Sequence, residues 1–407
     1  MKVRVVKGTN KKGCSVTEIT SNKGNKIIID YGKCVNDGIP DATPDIDWSN
    51  TLGVFITHNH DDHIGFINDV PKDVPVYVER EALGVYKIIA DFYEQGIARK
   101  VTLFEPGDII TLDDFKIVTY QVDHSAYNSC MFLVEVDGKR VLHMSDFREH
   151  GRQGYLVKKA IEDIKEVDVL CMEGATITRP NNDKKKEEDQ LQYELYKIMR
   201  RYRQVFVVTS SSNIDRLITT YKASYRADHI FIEDPTIASI GDYLDKLGKV
   251  VPNPNPKNEN DFRDVYTFIP KYLKEKEGTS YKKYINNFSD RDAHALMPFS
   301  KYVFLIKPEM FNEIKKLYID KGYVKDACLI YSMWDGYLDR PEMRIFIENM
   351  KAAGIKVYYK HTSGHNDEEA REFVTTTLKY KYLKHIHTED NDKYINYPEL
   401  NLTDLEI

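Results

Sequence analysis

The residues best suited to chemistry form one histidine-rich cluster. Residues 58–63 read His-Asn-His-Asp-Asp-His and directly follow the apolar run 53–57. Imidazole and carboxylate groups are ligands that suit zinc and similar divalent cations. Alternate side chains of an extended segment lie on one side, so His58 and His60 can bind the same ion. The alternative is a surface cluster of histidines, which the preceding strand and the glycine-containing helix start at 62–65 disfavour.

Further ligands are expected where later strands end, because one cluster cannot complete two metal sites. His124 follows the strand-like run 116–122, and Asp146 follows the run 139–144. His143 and His150 flank Asp146. These two histidines either support the ligands from behind or lie in a solvated loop.

Together these motifs resemble the metallo-β-lactamase family, whose pattern is His-x-His-x-Asp-His, then a histidine, an aspartate and a last histidine. The resemblance implies an α/β fold, an αββα sandwich, with two metal ions and a bridging water or hydroxide as nucleophile. Asp146 would bridge the ions, and Asp30, after the run 27–29, would support the metal loop without touching metal. The implied ligands are His58, His60 and His124 for one ion, and Asp62, His63 and the last histidine for the other.

The last histidine is supplied far downstream. Residues 361–365 read His-Thr-Ser-Gly-His, and residues 387–389 read His-Thr-Glu. A metal fold that is interrupted and then resumed resembles the β-CASP nucleases, and ribonuclease J most closely, although that family has glycine where Thr388 stands. The resemblance implies that His387 is the final ligand. It also implies a metal-binding domain at 1–180 and 355–407 and a β-CASP-like inserted α/β domain at 181–354.

The same resemblance pairs Glu173, which follows the strand 167–172, with His365. A carboxylate fixes the tautomer of an imidazole and stabilises its protonated form, and the imidazolium can then bind a phosphate oxygen or protonate a leaving alkoxide. The catalytic residues implied are Asp62, His365 and Glu173. The substrate-binding residues implied are His361, Ser363, His365, and Ser211 and Asn213 of the segment 210–216. The alternatives are a polar turn with Ser363 as a helix cap, and an ordinary helix N-cap at 210–213.

Strands and helices must alternate to position these residues. Apolar runs dominate the first 180 residues, with helical patches at 81–94 and 155–164, and Asp137-Gly138 predicts a hairpin turn. A helix at 187–202 and strands at 205–209, 229–232, 302–306 and 328–331 predict a second βαβ-type region. The strand-like run 355–359 is assigned to the return of the first domain.

Composition bounds these expectations. The chain has 407 residues, 42% hydrophobic and 30% charged, which excludes a disordered chain. No apolar run approaches the length of a membrane span. A net charge of -6 excludes a globally basic nucleic-acid coat but not a local basic groove. Five scattered cysteines without a CxxC pair predict no disulfide framework, no cysteine zinc site and a cytoplasmic location.

The function implied is two-metal hydrolysis of phosphodiester bonds in nucleic acid, with RNA first and single-stranded DNA second. Zinc is the expected metal, with manganese or iron as alternatives. A homodimer is one option for the oligomeric state. A metal hydrolase of a small phosphodiester, lactone or thioester is the alternative function, and a non-catalytic scaffold is disfavoured because every ligand is present. A cluster of lysines and tyrosines at 271–284 either binds the substrate or forms a solvated surface.

Overall fold

The computed structural model describes residues 1–8, 13–34, 43–177, 187–258, 262–388 and 404–406. The chain divides into two compact units. Unit 1 comprises Met1–Tyr86, Ile97–Lys185 and Ser363–Ile407, and unit 2 comprises Lys87–Gly96 and Lys186–Thr362. Within the described ranges, no helix has the length and apolar character needed to cross a membrane.

The first sheet of unit 1 has seven strands in the spatial order β19-β1-β2-β3-β4-β5-β6. Strands β1, β2 and β3 are antiparallel neighbours, whereas β3 to β6 run parallel. Its strands are β1 (Lys2–Lys7), β2 (Val16–Thr20), β3 (Lys26–Ile29), β4 (Thr51–Ile56), β5 (Val76–Glu79), β6 (Thr102–Phe104) and β19 (Asp404–Glu406).

The second sheet of unit 1 has six strands in the order β18-β11-β10-β9-β8-β7. Its strands are β7 (Ile109–Leu112), β8 (Phe115–Gln121), β9 (Cys130–Val136), β10 (Lys139–His143), β11 (Glu166–Glu173) and β18 (Lys379–Ile386). The β9–β10 hairpin turns at Asp137 and Gly138, whose φ angles are 53° and 70°. Two positive φ angles are what a two-residue hairpin turn requires, so the predicted hairpin is confirmed.

The core of unit 1 lies between its two sheets. Buried side chains from both form one apolar cluster, with Ile27, Ile29 and Phe55 from the first sheet and Phe132 and Val169 from the second. Helices α3 (Tyr155–Ile164) and α11 (Glu368–Thr377) cover the other face of the second sheet. The remaining helices of the first half are α1 (Asp61–Ile64) and α2 (Arg80–Phe92). The predicted α/β sandwich is confirmed.

Unit 2 is built on one all-parallel sheet of six strands in the order β14-β13-β15-β12-β16-β17. Its strands are β12 (Gln204–Val208), β13 (Ile230–Glu233), β14 (Val265–Thr267), β15 (Tyr302–Leu305), β16 (Ala327–Tyr331) and β17 (Lys356–Tyr359). Its helices are α4 (Glu188–Met199), α5 (Ile214–Arg226), α6 (Pro235–Lys246), α7 (Lys271–Glu275), α8 (Lys282–Ile285), α9 (Phe311–Ile314) and α10 (Pro341–Ala352).

Two expectations from the sequence need correction. The run 355–359 does not return to the first domain, because β17 pairs in parallel with β16 and unit 1 resumes only at Ser363. The other predicted boundary, at 180/181, lies outside the described residues.

The structure also joins Cys14 to Cys34 in a disulfide, contrary to the expected absence of one. The two segments pair through a β-bridge between Gly13 and Cys34, which brings the thiols together despite their separation in sequence.

Candidate metal centre

The histidine-rich loop begins where β4 leaves the sheet. Strand β4 ends at Ile56, and α1 begins at Asp61, so the short connection presents His58 and His60 while α1 presents Asp62 and His63. His58 and His63 are buried. Gly32 lies directly against the backbone of Asp62, where a Cβ would collide with the Asp62 carbonyl. This close approach holds the loop against the segment that follows β3.

Asp30 supports this loop from beneath. One of its oxygens, Oδ1, accepts hydrogen bonds from the backbone N–H of Thr57 at 2.8 Å and from Thr57 Oγ1 at 2.9 Å. The other oxygen, Oδ2, lies 2.7 Å from His63 Nδ1. Thr57 Oγ1 also lies 3.0 Å from His58 Nδ1. Because the Nδ1 atoms of both histidines face these partners, both Nε2 atoms face the site. Asp30 is thus positioned as expected for a residue that supports metal ligands.

Asp146 occupies the middle of the cluster. Its Oδ2 atom lies 3.8 Å from His58 Nε2, 3.4 Å from His63 Nε2 and 3.7 Å from His124 Nε2. Its Oδ1 atom lies 2.6 Å from His387 Nδ1. A carboxylate that faces imidazoles from several strands and loops is placed as a bridging ligand would be.

The chemistry of the donor atoms fits a divalent metal. Four overlapping groups have potential ligand atoms within 4.8 Å of one another. The Nε2 atoms of His58 and His63 and the Oδ2 atom of Asp146 are buried without a hydrogen-bond partner. Buried polar atoms almost always have partners, so three unpartnered ligand atoms that face one point fit the coordination of a divalent cation. The groups are His58, His60 and His124; His58, His63 and Asp146; Asp62, His63 and His387; and Asp146, Glu173, His365 and His387.

Burial and charge set the protonation of these groups. Burial lowers the pKa of His58 and His124 well below the ordinary value and that of His60 to about 4, so these imidazoles are neutral, the form that binds metal. For His63, burial lowers the pKa, but the carboxylates of Asp146, Asp30 and Asp62 outweigh it and raise the pKa well above the ordinary value. The pKa of Asp146 lies well below the ordinary value, because neighbouring imidazoles outweigh the effect of burial.

His387 follows β18 and lies in the same cluster as Asp62 and His63. Its Nε2 atom lies 3.5 Å from Asp62 Oδ2, and its φ angle of 51° is in the left-handed region. Burial lowers its pKa, but Asp146 outweighs burial, and the net effect raises the pKa above the ordinary value. Glu389 lies outside the described residues.

Glu173, at the end of β11, pairs with His365. Its Oε2 atom lies 3.0 Å from His365 Nδ1. Its Oε1 atom accepts hydrogen bonds from the backbone N–H groups of Phe147 at 3.0 Å and Asn366 at 3.2 Å. One carboxylate therefore ties the segment after Asp146 to the segment that carries His365. The His365 side chain is 22% exposed, whereas the Asp146 side chain is 1% exposed, so His365 is open to a substrate.

Three of the predicted substrate-binding residues belong to unit 2. Ser211 and Asn213 precede α5, and His361 follows β17. Asn213 Oδ1 caps α5 by accepting from the N–H of Arg216 at 3.0 Å, as the alternative of an ordinary N-cap predicted. Ser363 lies in unit 1, where its Oγ accepts from the N–H of His365 at 3.1 Å. Ser363 does not cap α11, because the cap is Asp367.

Two supporting residues, Gly364 and Arg148, were missed from the sequence. Gly364 has its carbonyl oxygen 2.5 Å from His124 Nδ1, and a side chain there would collide with Ser125. Arg148 donates to the carbonyl of Ser363 at 3.2 Å. His150 Nε2 lies 2.8 Å from the same carbonyl oxygen, and His143 Nε2 lies 3.2 Å from Thr17 Oγ1. Both histidines are buried, so neither lies in a solvated loop.

Known proteins match part of this chain. A model of the beta-lactamase superfamily domain matches residues 40–187. Ribonuclease J from Sinorhizobium meliloti is 25% identical over 184 residues, which cover 44% of this chain and 33% of that protein. Endoribonuclease YSH1 from Mycosarcoma maydis is 25% identical over 215 residues, which cover 46% of this chain and 24% of that protein. The chain thus spans about a third or less of the curated relatives it matches.

A solved structure extends the likeness to nearly the whole chain. A protein of unknown function from Enterococcus faecalis V583 superposes with a TM-score of 0.72 at 17% identity. The superposition covers 96% of this chain and 95% of that protein. At this identity the likeness establishes the fold of the chain.

Proposed function

We propose that this chain, which carries a metallo-β-lactamase domain, is a two-metal hydrolase that cleaves phosphodiester bonds of nucleic acid, with RNA as the preferred substrate. Relatives named ribonuclease J and endoribonuclease YSH1 support this substrate class. The observation that carries the proposal is Asp146 Oδ2, which lies within 4 Å of the Nε2 atoms of His58, His63 and His124. Unit 2 is proposed to be a β-CASP-like insert.

The proposed metal ligands are those predicted from the sequence. His58, His60 and His124 would hold one ion, Asp62, His63 and His387 would hold the other, and Asp146 would contribute to both. Two such cations would lower the pKa of a water molecule, supply the nucleophile at neutral pH and neutralise charge on the phosphate. Zinc suits these imidazole and carboxylate ligands, and manganese or iron are the alternatives.

The protein's own groups then orient and protonate the substrate. Asp30 and Thr57 hold the Nδ1 sides of His63 and His58, which fixes the Nε2 atoms toward the site. In its protonated form, His365 donates from Nδ1 to Glu173 and presents its Nε2–H to a phosphate oxygen or, as general acid, to the leaving alkoxide. This histidine–carboxylate pair goes beyond the metal ligands, which favours a phosphodiester over a simpler substrate.

The test incubates protein loaded with zinc or manganese with labelled single-stranded RNA, single-stranded DNA and bis-p-nitrophenyl phosphate. RNA should be degraded fastest, and a chelator should stop the reaction. Asp146→Ala should be inactive, whereas Asp47→Ala, at an aspartate whose side chain is 71% exposed, should be fully active. Hydrolysis of the small ester with both polymers intact under every metal would favour the small-molecule alternative and refute the proposal.

A further inference from the structure

The lysine cluster at 271–284, for which the sequence left open substrate binding or a solvated surface, is neutralised by acids within unit 2. Lys274 lies 2.5 Å from Asp292, Lys276 lies 2.7 Å from Glu94, and Lys283 lies 3.0 Å from Asp91. The remaining lysines of the cluster, Lys271 and Lys282, pair with Glu275 and Glu277. Tyr281 is buried in the core beneath it. This cluster therefore offers little unpaired positive charge to a phosphate backbone.

A different surface of unit 2 combines cations with two tyrosine rings, one exposed and one half-buried. It lies on helices α4 and α5 and is called here the α4–α5 patch, with the members Tyr193, Tyr196, Lys197, Arg200, Lys222 and Arg226. Tyr193 is 51% exposed. The Arg226 guanidinium lies 4.3 Å from the centre of the Tyr196 ring and 5.8 Å from that of Tyr193. Lys197 Nζ lies 4.7 Å from the centre of the Tyr193 ring.

Within the part of the chain that the structure describes, the cations of the patch have no acidic partner. Among the described residues, no salt bridge involves any of the four cations, and all four side chains are exposed. These cations are Lys197, Arg200, Lys222 and Arg226. Lys222 and Arg226 are four residues apart on α5, so they share one face of that helix. The surface thus presents four uncompensated positive charges beside two tyrosine rings, in a chain whose net charge is -6.

We propose that the α4–α5 patch binds a single-stranded stretch of the nucleic-acid substrate. The inference rests on the proposed function and adds a second contact surface to it. Phosphates attract the unpaired cations electrostatically. A cation drawn from a tyrosine ring to a phosphate leaves that ring face open to a base, and base–aromatic stacking is tolerant of sequence. An acidic peptide could pair with the cations, but its carboxylate side chains would not stack on the exposed Tyr193 ring.

The test measures binding to a fluorescent oligouridylate of 30 nucleotides as a function of salt, with phosphorothioate linkages that keep the backbone charge and slow hydrolysis. The double variant Lys197→Gln/Arg226→Gln should reduce the slope of log K against log salt by about 1.4, since each single-strand phosphate contact contributes about 0.7. If both proteins bind equally at 1 M salt, this change of slope makes the double variant bind roughly 25-fold more weakly than the unaltered protein at 0.1 M salt. Tyr193→Ala should weaken binding with little change of slope. Hydrolysis of bis-p-nitrophenyl phosphate should be unchanged in all these variants.

The matched control is Lys271→Gln/Lys315→Gln, which removes the same charge from two exposed lysines that already pair with Glu275 and Asp320. Its salt slope should equal that of the unaltered protein. An unchanged slope and affinity in the patch variant would overturn the inference, and so would a loss of binding to polyglutamate that leaves RNA binding intact. RNA degradation is measured separately, so either failure can occur while the proposed function stands.

Discussion

Replacing Asp30 with asparagine isolates the support that the protein gives to His63, a proposed metal ligand. Asp30 accepts from Thr57 on one oxygen and faces His63 Nδ1 with the other. An amide in the same place can satisfy only one side. If its NH2 group faces His63, the ring must carry its proton on Nε2, the atom that faces Asp146. If the amide turns over, its NH2 group meets the N–H of Thr57.

Either orientation should weaken metal binding at the Asp62, His63 and His387 group. Loss of a carboxylate that supports a metal-binding histidine typically reduces metal affinity by about 10- to 100-fold, or about 1.4 to 2.7 kcal/mol. The binding step that involves His58, His60 and His124 should change much less, because Asp30 does not contact those three side chains through their ring nitrogens. Asp30→Asn should therefore weaken one zinc-binding step and leave the other nearly unchanged.

The assay is competition between the metal-depleted protein and a chromophoric zinc chelator, with circular dichroism to verify the fold. Asp47→Asn is the matched control, because Asp47 is an exposed aspartate paired with Lys26 and should leave both binding steps unchanged. Equal zinc affinities in Asp30→Asn and the unaltered protein would refute the claim that Asp30 sets the tautomer of His63.

Four further changes test other parts of the structure. Asp146→Ala should abolish retention of both ions and turnover, measured by mass spectrometry of bound metal after dialysis. His365→Ala should retain the ions while kcat falls by about 10²- to 10⁴-fold, the usual contribution of a proton-transferring group. Glu188→Ala should lower the free energy of unfolding by about 3–5 kcal/mol in urea titrations, because it strips buried Arg216 of its carboxylate at 3.0 Å. Glu233→Gln should raise the melting temperature at pH 7, because burial raises the pKa of Glu233 well above 4.5.

The higher melting temperature expected for Glu233→Gln follows from proton linkage. A carboxyl whose pKa is raised on folding holds a proton that the unfolded chain loses, so stability falls as the pH rises above about 4.5. Glutamine removes this loss, so the stability advantage of Glu233→Gln should vanish near pH 4. A constant advantage at every pH would contradict the linkage.

Retention of metal by Asp146→Ala would contradict the proposal that Asp146 bridges the ions. Metal lost from His365→Ala would make His365 a ligand in place of His387.

Much of the site was predictable because its residues lie at the ends of local patterns. The spacing of His58, His60, Asp62 and His63 after an apolar run predicted the loop that the structure shows, and Asp137-Gly138 predicted a hairpin. Such signals depend on neighbours within a few residues, where backbone geometry fixes which side chains share a face.

Contacts made across long stretches of sequence were not predictable. Gly364 contacts His124 across 240 residues, and no local pattern marks either partner for the other. The strand β17 was assigned to the wrong unit because its apolar pattern does not say which strand it pairs with. The Cys14–Cys34 disulfide escaped prediction for the same reason, since a β-bridge and not a sequence motif brings the two together.

The most direct measurement titrates zinc or manganese into metal-depleted protein while following the cleavage of single-stranded RNA. If Asp146 joins two ions in one phosphodiesterase site, activity should rise with added metal and reach its plateau at two equivalents per chain. A plateau at one equivalent would contradict the two-metal site, and intact RNA at every metal load would contradict the nuclease function.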